Sequence, residues 1–128
     1  MDEKAIQQKA RQQDEDSTKQ RAAILGLPYI DTRDIEETMP LADGVLDVDT
    51  MHRNRIIPLV AGGDSTPWEF GITTQTPQSF INELTQKYNQ QAHNARYFLI
   101  SMGGFNALMN RYDPPPVVEY DDIQIAKE

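Results

Sequence analysis

Residues 22–31 read AAILGLPYID, and residues 53–60 read RNRIIPLV. In the first stretch, Ala22, Ala23, Ile24 and Leu25 have the composition of a closing helical turn. Gly26 then falls at the position just past the helix, where a left-handed backbone carries no Cβ penalty. Pro28 pushes Leu27 out of the helical region and restarts the chain as an extended segment. In the second stretch, a short polar helix runs into Ile56, Ile57, Pro58, Leu59 and Val60, a buried strand. A proline inside such a strand has no backbone N–H to give to a neighbour, so the strand belongs at a sheet edge. Neither segment holds a catalytic group, and both specify packing.

Working outward, residues 55–60 and 68–74 are the two clearest strands. The glycine- and proline-bearing connection at 61–67 predicts that they form an antiparallel hairpin with a longer loop. Trp68, Phe70 and Ile72 alternate with Glu69, Gly71 and Thr73, which puts the bulky trio on one buried face. Thr76 and Pro77 read as a helix start, with threonine as N-cap and proline at the first helical position. Phe80, Ile81, Leu84 and Tyr88 follow helical spacing and give that helix one apolar face. Residues 96–100 (RYFLI) form another buried strand, and Ser101 is placed to cap a last helix with Phe105, Leu108, Met109 and Tyr112 on its inner face. Pro114, Pro115 and Pro116 stop it. The resulting order is α, β, small α, β, β, α, β, α. It predicts an α+β fold, a small mixed β-sheet packed with helices in an α/β sandwich.

The flanks are polar. Residues 1–19 offer only Ala5, Ile6 and Ala10 beyond the initiator as apolar groups. Too little surface is available there to offset the entropy of ordering, so the segment reads as disordered or as a frayed, solvated helix. The chain thus divides into that N-terminal segment, one domain over 20–113, and a Pro-rich exit and tail over 114–128. Residues 31–44 carry Asp31, Asp34, Glu36, Glu37 and Asp43 around Ile35, Met39 and Leu41, punctuated as loop and turn by Pro40 and Gly44. Asp49 reads as the N-cap of a turn over 50–54.

Composition narrows the chemistry. With no cysteine, disulfides and thiolate metal sites are excluded. A net charge of −8 argues against broad binding to nucleic acid or anionic membrane. No apolar run approaches the ~20 residues of a membrane helix. No G-x-x-x-x-G-K-[ST] loop surrounds Lys4, Lys9, Lys19, Lys87 or Lys127, so the chain lacks the phosphate cradle of an ATP-hydrolysing motor. Asp43, Asp47 and Asp49 lack the glycine and bidentate glutamate of a calcium loop, for Val48 and Asn54 stand there instead. His52 and His93 have no partner in metal-ligand spacing. The Ser101–Gly104 start of the last helix reads as a plain cap rather than an anion site. Arg53, Arg55, Arg96 and Arg111 read as surface partners of nearby carboxylates. No catalytic, cofactor-binding or metal-binding residue is expected.

A helix ending in Leu25-Gly26-Leu27-Pro28-Tyr29, an acidic spacer, a small helix, and Ile57-Pro58-Leu59 leading into a strand–helix–strand–helix tail resembles one known module. It is the N-terminal domain of the ATPases of type II secretion and type IV pilus assembly, the GspE/PilB group, over residues 20–112. The resemblance implies a cytoplasmic, non-catalytic protein-interaction domain. Such a domain docks a motor, carried downstream in the same chain, to the cytoplasmic domain of an inner-membrane platform protein. The long acidic loop would supply the rim of that contact, through Arg33, Asp34, Glu36 and Glu37. Some related ATPases bind cyclic di-GMP through R-L-G-x-x-L motifs upstream of the L-G-L-P segment. Residues 1–19 hold no R-L-G, so that regulatory function is the alternative to docking rather than the first reading.

Overall fold

Gly26 has φ +72°, and around it the first helix closes with two bonds. The amide of Leu27 donates to the carbonyl of Ala22 at 2.9 Å, and that of Gly26 to Ala23 at 3.4 Å. This pair is the Schellman closure, which only a residue free to go left-handed permits cheaply. The chain then extends for three residues beside a strand some seventy positions downstream. Pro28 accepts from the Leu99 amide at 2.8 Å, Ile30 donates to the Leu99 carbonyl at 3.1 Å, and Tyr29 forms a single parallel bridge with Leu99. The extended segment expected after Gly26 is therefore one bridge long.

These contacts belong to a computed structural model that describes residues 3–42, 44–62, 66–89 and 95–114. In chain order the elements are α1 (Glu3–Leu25), a 3-10 turn (Thr32–Asp34), α2 (Val48–Asn54), β1 (Ile56–Val60), β2 (Trp68–Ile72), α3 (Gln78–Asn89), β3 (Ala95–Leu99) and α4 (Met102–Tyr112). The sheet order is β1-β2-β3. β1 and β2 pair antiparallel, with Ile57 opposite Gly71. β2 and β3 pair parallel, and α3 makes the crossover that a parallel pair requires. The fold is thus the small mixed α+β arrangement that the sequence implied.

Pro58 stands where its chemistry allows. β1 is an edge strand with a bulge between Pro58 and Val60, and the Pro58 carbonyl accepts from the Tyr112 hydroxyl at 3.0 Å. The two sheet faces bury separate clusters. On one, Ile57 and Leu59 pack with Met39, Met51, Ile100 and the Phe105, Leu108, Met109 face of α4. On the other, Ile56, Phe70, Ile72 and Leu99 pack with Leu84 and Tyr88 of α3 and with Ala22. Ile56 and Ile57 fall in different clusters, as strand alternation demands.

Several local expectations change. Residues 1–19 were expected disordered or frayed, yet α1 is helical from Glu3 and buries Glu15 and Thr18. Its docking face is polar, which apolar counting does not register. The N-cap of α2 is Asp47, not Asp49: the Asp47 carboxylate accepts from the Thr50 amide at 2.7 Å while its backbone is extended. Asp49 lies inside the first turn. Val45 and Leu46 form a bend ahead of α2. β2 ends at Ile72, and Thr76 is not the cap of α3. Its hydroxyl accepts from the Thr73 amide at 2.9 Å and donates to the Arg55 carbonyl at 2.7 Å, closing the turn. Asp43, His93 and the exit beyond Pro114 lie outside the described residues.

Candidate functional site

The densest polar cluster lies where α1 crosses the start of α4 and the 3-10 turn. Arg11 and Glu15 are one helical turn apart on α1, so both side chains face the body of the domain. The Glu15 carboxylate is 2% exposed. It accepts from Arg11 Nε at 2.6 Å, from the Ser101 hydroxyl at 2.5 Å and from the Tyr29 hydroxyl at 2.5 Å. A buried carboxylate is costly unless a counter-charge and several donors replace its water, and here they do. Ser101 also accepts from the Gly104 amide at 2.8 Å, so the cap of α4 and the grip on α1 are one side chain.

Arg11 extends the network. Its terminal amine donates to Glu36 and, at 3.1 Å, to the hydroxyl of Thr32, which itself donates to Glu36 at 2.7 Å. Burial alone would lower the Arg11 pKa, but the hydrogen bonds and charges of Glu36 and Glu15 outweigh it and hold it above its ordinary value. Burial, reinforced by the Glu15 carboxylate, pushes the Tyr29 phenol upward. Asp14 completes the contact by accepting from the Gly103 amide at 2.9 Å. The glycines at the start of α4 are what let α1 and Thr32 come this close. A Cβ on Gly104 would lie 2.2 Å from Thr32 Oγ1, and one on Gly103 would lie 2.8 Å from Arg11 Cδ. Asp14 fills the amide seat, so Ser101–Gly104 is a cap as expected, closed from α1.

The four acidic-loop residues proposed as a rim separate. Asp34 and Glu37 are exposed. Arg33 is committed to the Asp31 carboxylate, 2.6 Å at its closest, and to Gln12 at 2.8 Å. That pairing holds Asp31 below the usual carboxylate range. Glu36 turns inward to Arg11 and Thr32. Sequence reading missed Arg11, Asp14 and Glu15 altogether. The one signal for them is an arginine four residues before a glutamate within a polar helix, a pattern equally common on solvated faces.

Arg111 and Arg55 depart from the carboxylate pairing expected of them. Arg111 donates to the carbonyls of Met39 at 2.6 Å and Glu36 at 3.3 Å. Arg55 donates to the His52 carbonyl at 2.6 Å and lies over the Phe105 ring, 5.9 Å from its centre. It does so from φ +55°, as the left-handed end of α2. His52 reaches Asp113 at 3.0 Å. Among the described residues no three His, Cys, Asp or Glu side chains gather in a way that could hold a metal ion. No helix among them is long and apolar enough to cross a membrane. No protein-family model, no curated protein and no solved structure matches the chain.

Proposed function

We propose that this chain is the non-catalytic N-terminal docking domain of a type II secretion or type IV pilus assembly ATPase. In that role it holds a motor, carried downstream in the same polypeptide, against the cytoplasmic domain of an inner-membrane platform protein. The observation that carries the reading is the work done by the residues that bear the resemblance. Leu25 to Tyr29 close α1 and bridge it to β3, while Ile57, Pro58 and Leu59 form the capped edge strand, so the motif positions are the joints of the fold. The element order from α1 to α4 is also the order the resemblance implies. Fold likeness alone does not give function, so the test must be binding.

The acidic rim narrows to Asp34 and Glu37, because Glu36 and Arg33 are engaged within the domain. Exposed charges at a rim act mainly on the association rate. The test is biolayer interferometry against the cytoplasmic domain of an inner-membrane platform protein from the same organism. Saturable binding is expected, with association several-fold slower at low salt for Asp34→Lys/Glu37→Lys. Absence of binding at concentrations far above micromolar refutes docking, and unchanged association of the double variant refutes the rim. A gene product with no phosphate-binding loop beyond Glu128 removes the motor from the reading.

A further inference from the structure

The two apolar clusters hardly use α1. The cluster built on Ile57, Leu59 and α4 contains no residue of it, and the cluster on the opposite sheet face takes only Ala22, near its C-terminal end. Residues 3–10 are exposed throughout. Ile24 and Leu25 are 78% and 53% exposed, so the larger aliphatic groups of this helix point away from the body. What holds residues 11–18 down is hydrogen bonding: Arg11 to Thr32 and Glu36, Asp14 to Gly103, and Glu15 to Tyr29 and Ser101. Each of these groups is well solvated when separated. Parting them exchanges protein partners for water, and Ala22 is the one α1 side chain withdrawn from an apolar cluster. The C-terminal end of α1 has a ready pivot in left-handed Gly26, followed by Pro28.

We propose that α1 is a displaceable arm. It leaves the body as one unit about the Gly26–Pro28 joint, while β1–β3 and α2–α4 stay folded on their own two clusters. Release frees the amide of Gly103 and uncovers the hydroxyls of Ser101 and Thr32, which keep their bonds to Gly104 and Glu36. The device belongs to this domain alone and does not depend on any partner. Sub-global opening of this kind is expected where apolar contacts are few and bonds are polar.

The test is hydrogen–deuterium exchange, read by mass spectrometry on the intact chain and on Glu15→Gln and Asp14→Asn. In the unmodified protein, peptides covering residues 11–25 are expected to exchange at least tenfold faster than those of β1, β2 and α4. Each variant is expected to speed the α1 peptides by a further tenfold or so and leave the strands unchanged. Exchange of α1 in step with the strands in the unmodified protein overturns the proposal. So does a variant in which all peptides lose protection together, because α1 would then be integral to the core.

Discussion

Gly104→Ala tests the close approach on which the α1–α4 junction depends. The added Cβ would lie 2.2 Å from Thr32 Oγ1, 3.1 Å from Ser101 Oγ and 3.3 Å from Thr32 Cβ. Thr32 is fully buried, so its hydroxyl must rotate away or the backbone must part. Rotation forfeits its bonds to Arg11 and Glu36, and contacts to charged groups are worth about 1.5–3 kcal/mol each. Parting the backbone is overpacking, which costs about 1–3 kcal/mol. Alanine returns up to about 1 kcal/mol of helix propensity. The net loss is therefore about 2 kcal/mol, which for a domain of this size lowers the melting temperature by roughly 7–9 °C. Urea and thermal unfolding measure it. Thr32→Ala removes the clashing oxygen, so the double variant should lose at least ~1 kcal/mol less than the two singles summed. A Gly104→Ala protein within ~0.5 kcal/mol of the parent, or strictly additive singles, refutes the steric reasoning.

Arg55 holds a left-handed backbone without being glycine, which costs an ordinary residue about 1–2 kcal/mol. Arg55→Ala should thus be less stable than Arg55→Gly by about 1 kcal/mol in urea titration, the reverse of the usual order. Asp47→Ala removes the cap of α2 and should cost about 1 kcal/mol by the same assay, whereas Asp49→Ala should be nearly silent. Burial raises the phenols of Tyr29, Tyr88 and Tyr97, with Glu15 adding to the effect at Tyr29. The unfolded chain then ionises more readily than the folded one. This contribution to stability is whole below pH ~10 and is lost as pH rises further, and Tyr29→Phe should flatten that fall. At the acid end, Asp31 is lowered chiefly by its bond from Arg33, and Asp47 by its bonds from Thr50. Their contribution is present above pH ~4 and is lost below it. Denaturation midpoints across pH 2–11.5 check both ends.

Where burial is apolar, the chain could be read directly. Trp68, Phe70 and Ile72 share one cluster, as do Phe80, Ile81, Leu84 and Tyr88, because a period of two or of 3.6 leaves the same mark in the letters as in the fold. Gly26 was legible because a left-handed closure before Leu-Pro has few alternatives. Polar burial leaves no such mark. Glu15 looks like Asp16 until Tyr29 and Ser101 arrive from distant parts of the chain to meet it. Glu36, just past the 3-10 turn, differs from Asp34 and Glu37 only in being pointed inward to Arg11 and Thr32. Asp47 and Asp49 carry the same chemistry two residues apart, and only the backbone angle at Asp47 selects the cap.

The spacing of the contacts that seat α1 also sets an order of events during synthesis. Glu15 and Ser101 are 86 residues apart, and Asp14 and Gly103 are 89. At ordinary translation rates of about 5–20 residues per second, α1 leaves the ribosome several seconds or more before its seat exists. A helix that needed an apolar groove would spend that interval exposing a greasy stripe to every other nascent chain. This one carries its docking information in an arginine and two carboxylates, which water accommodates while they wait. The helix is therefore made well before it can close, and it can wait without being sticky.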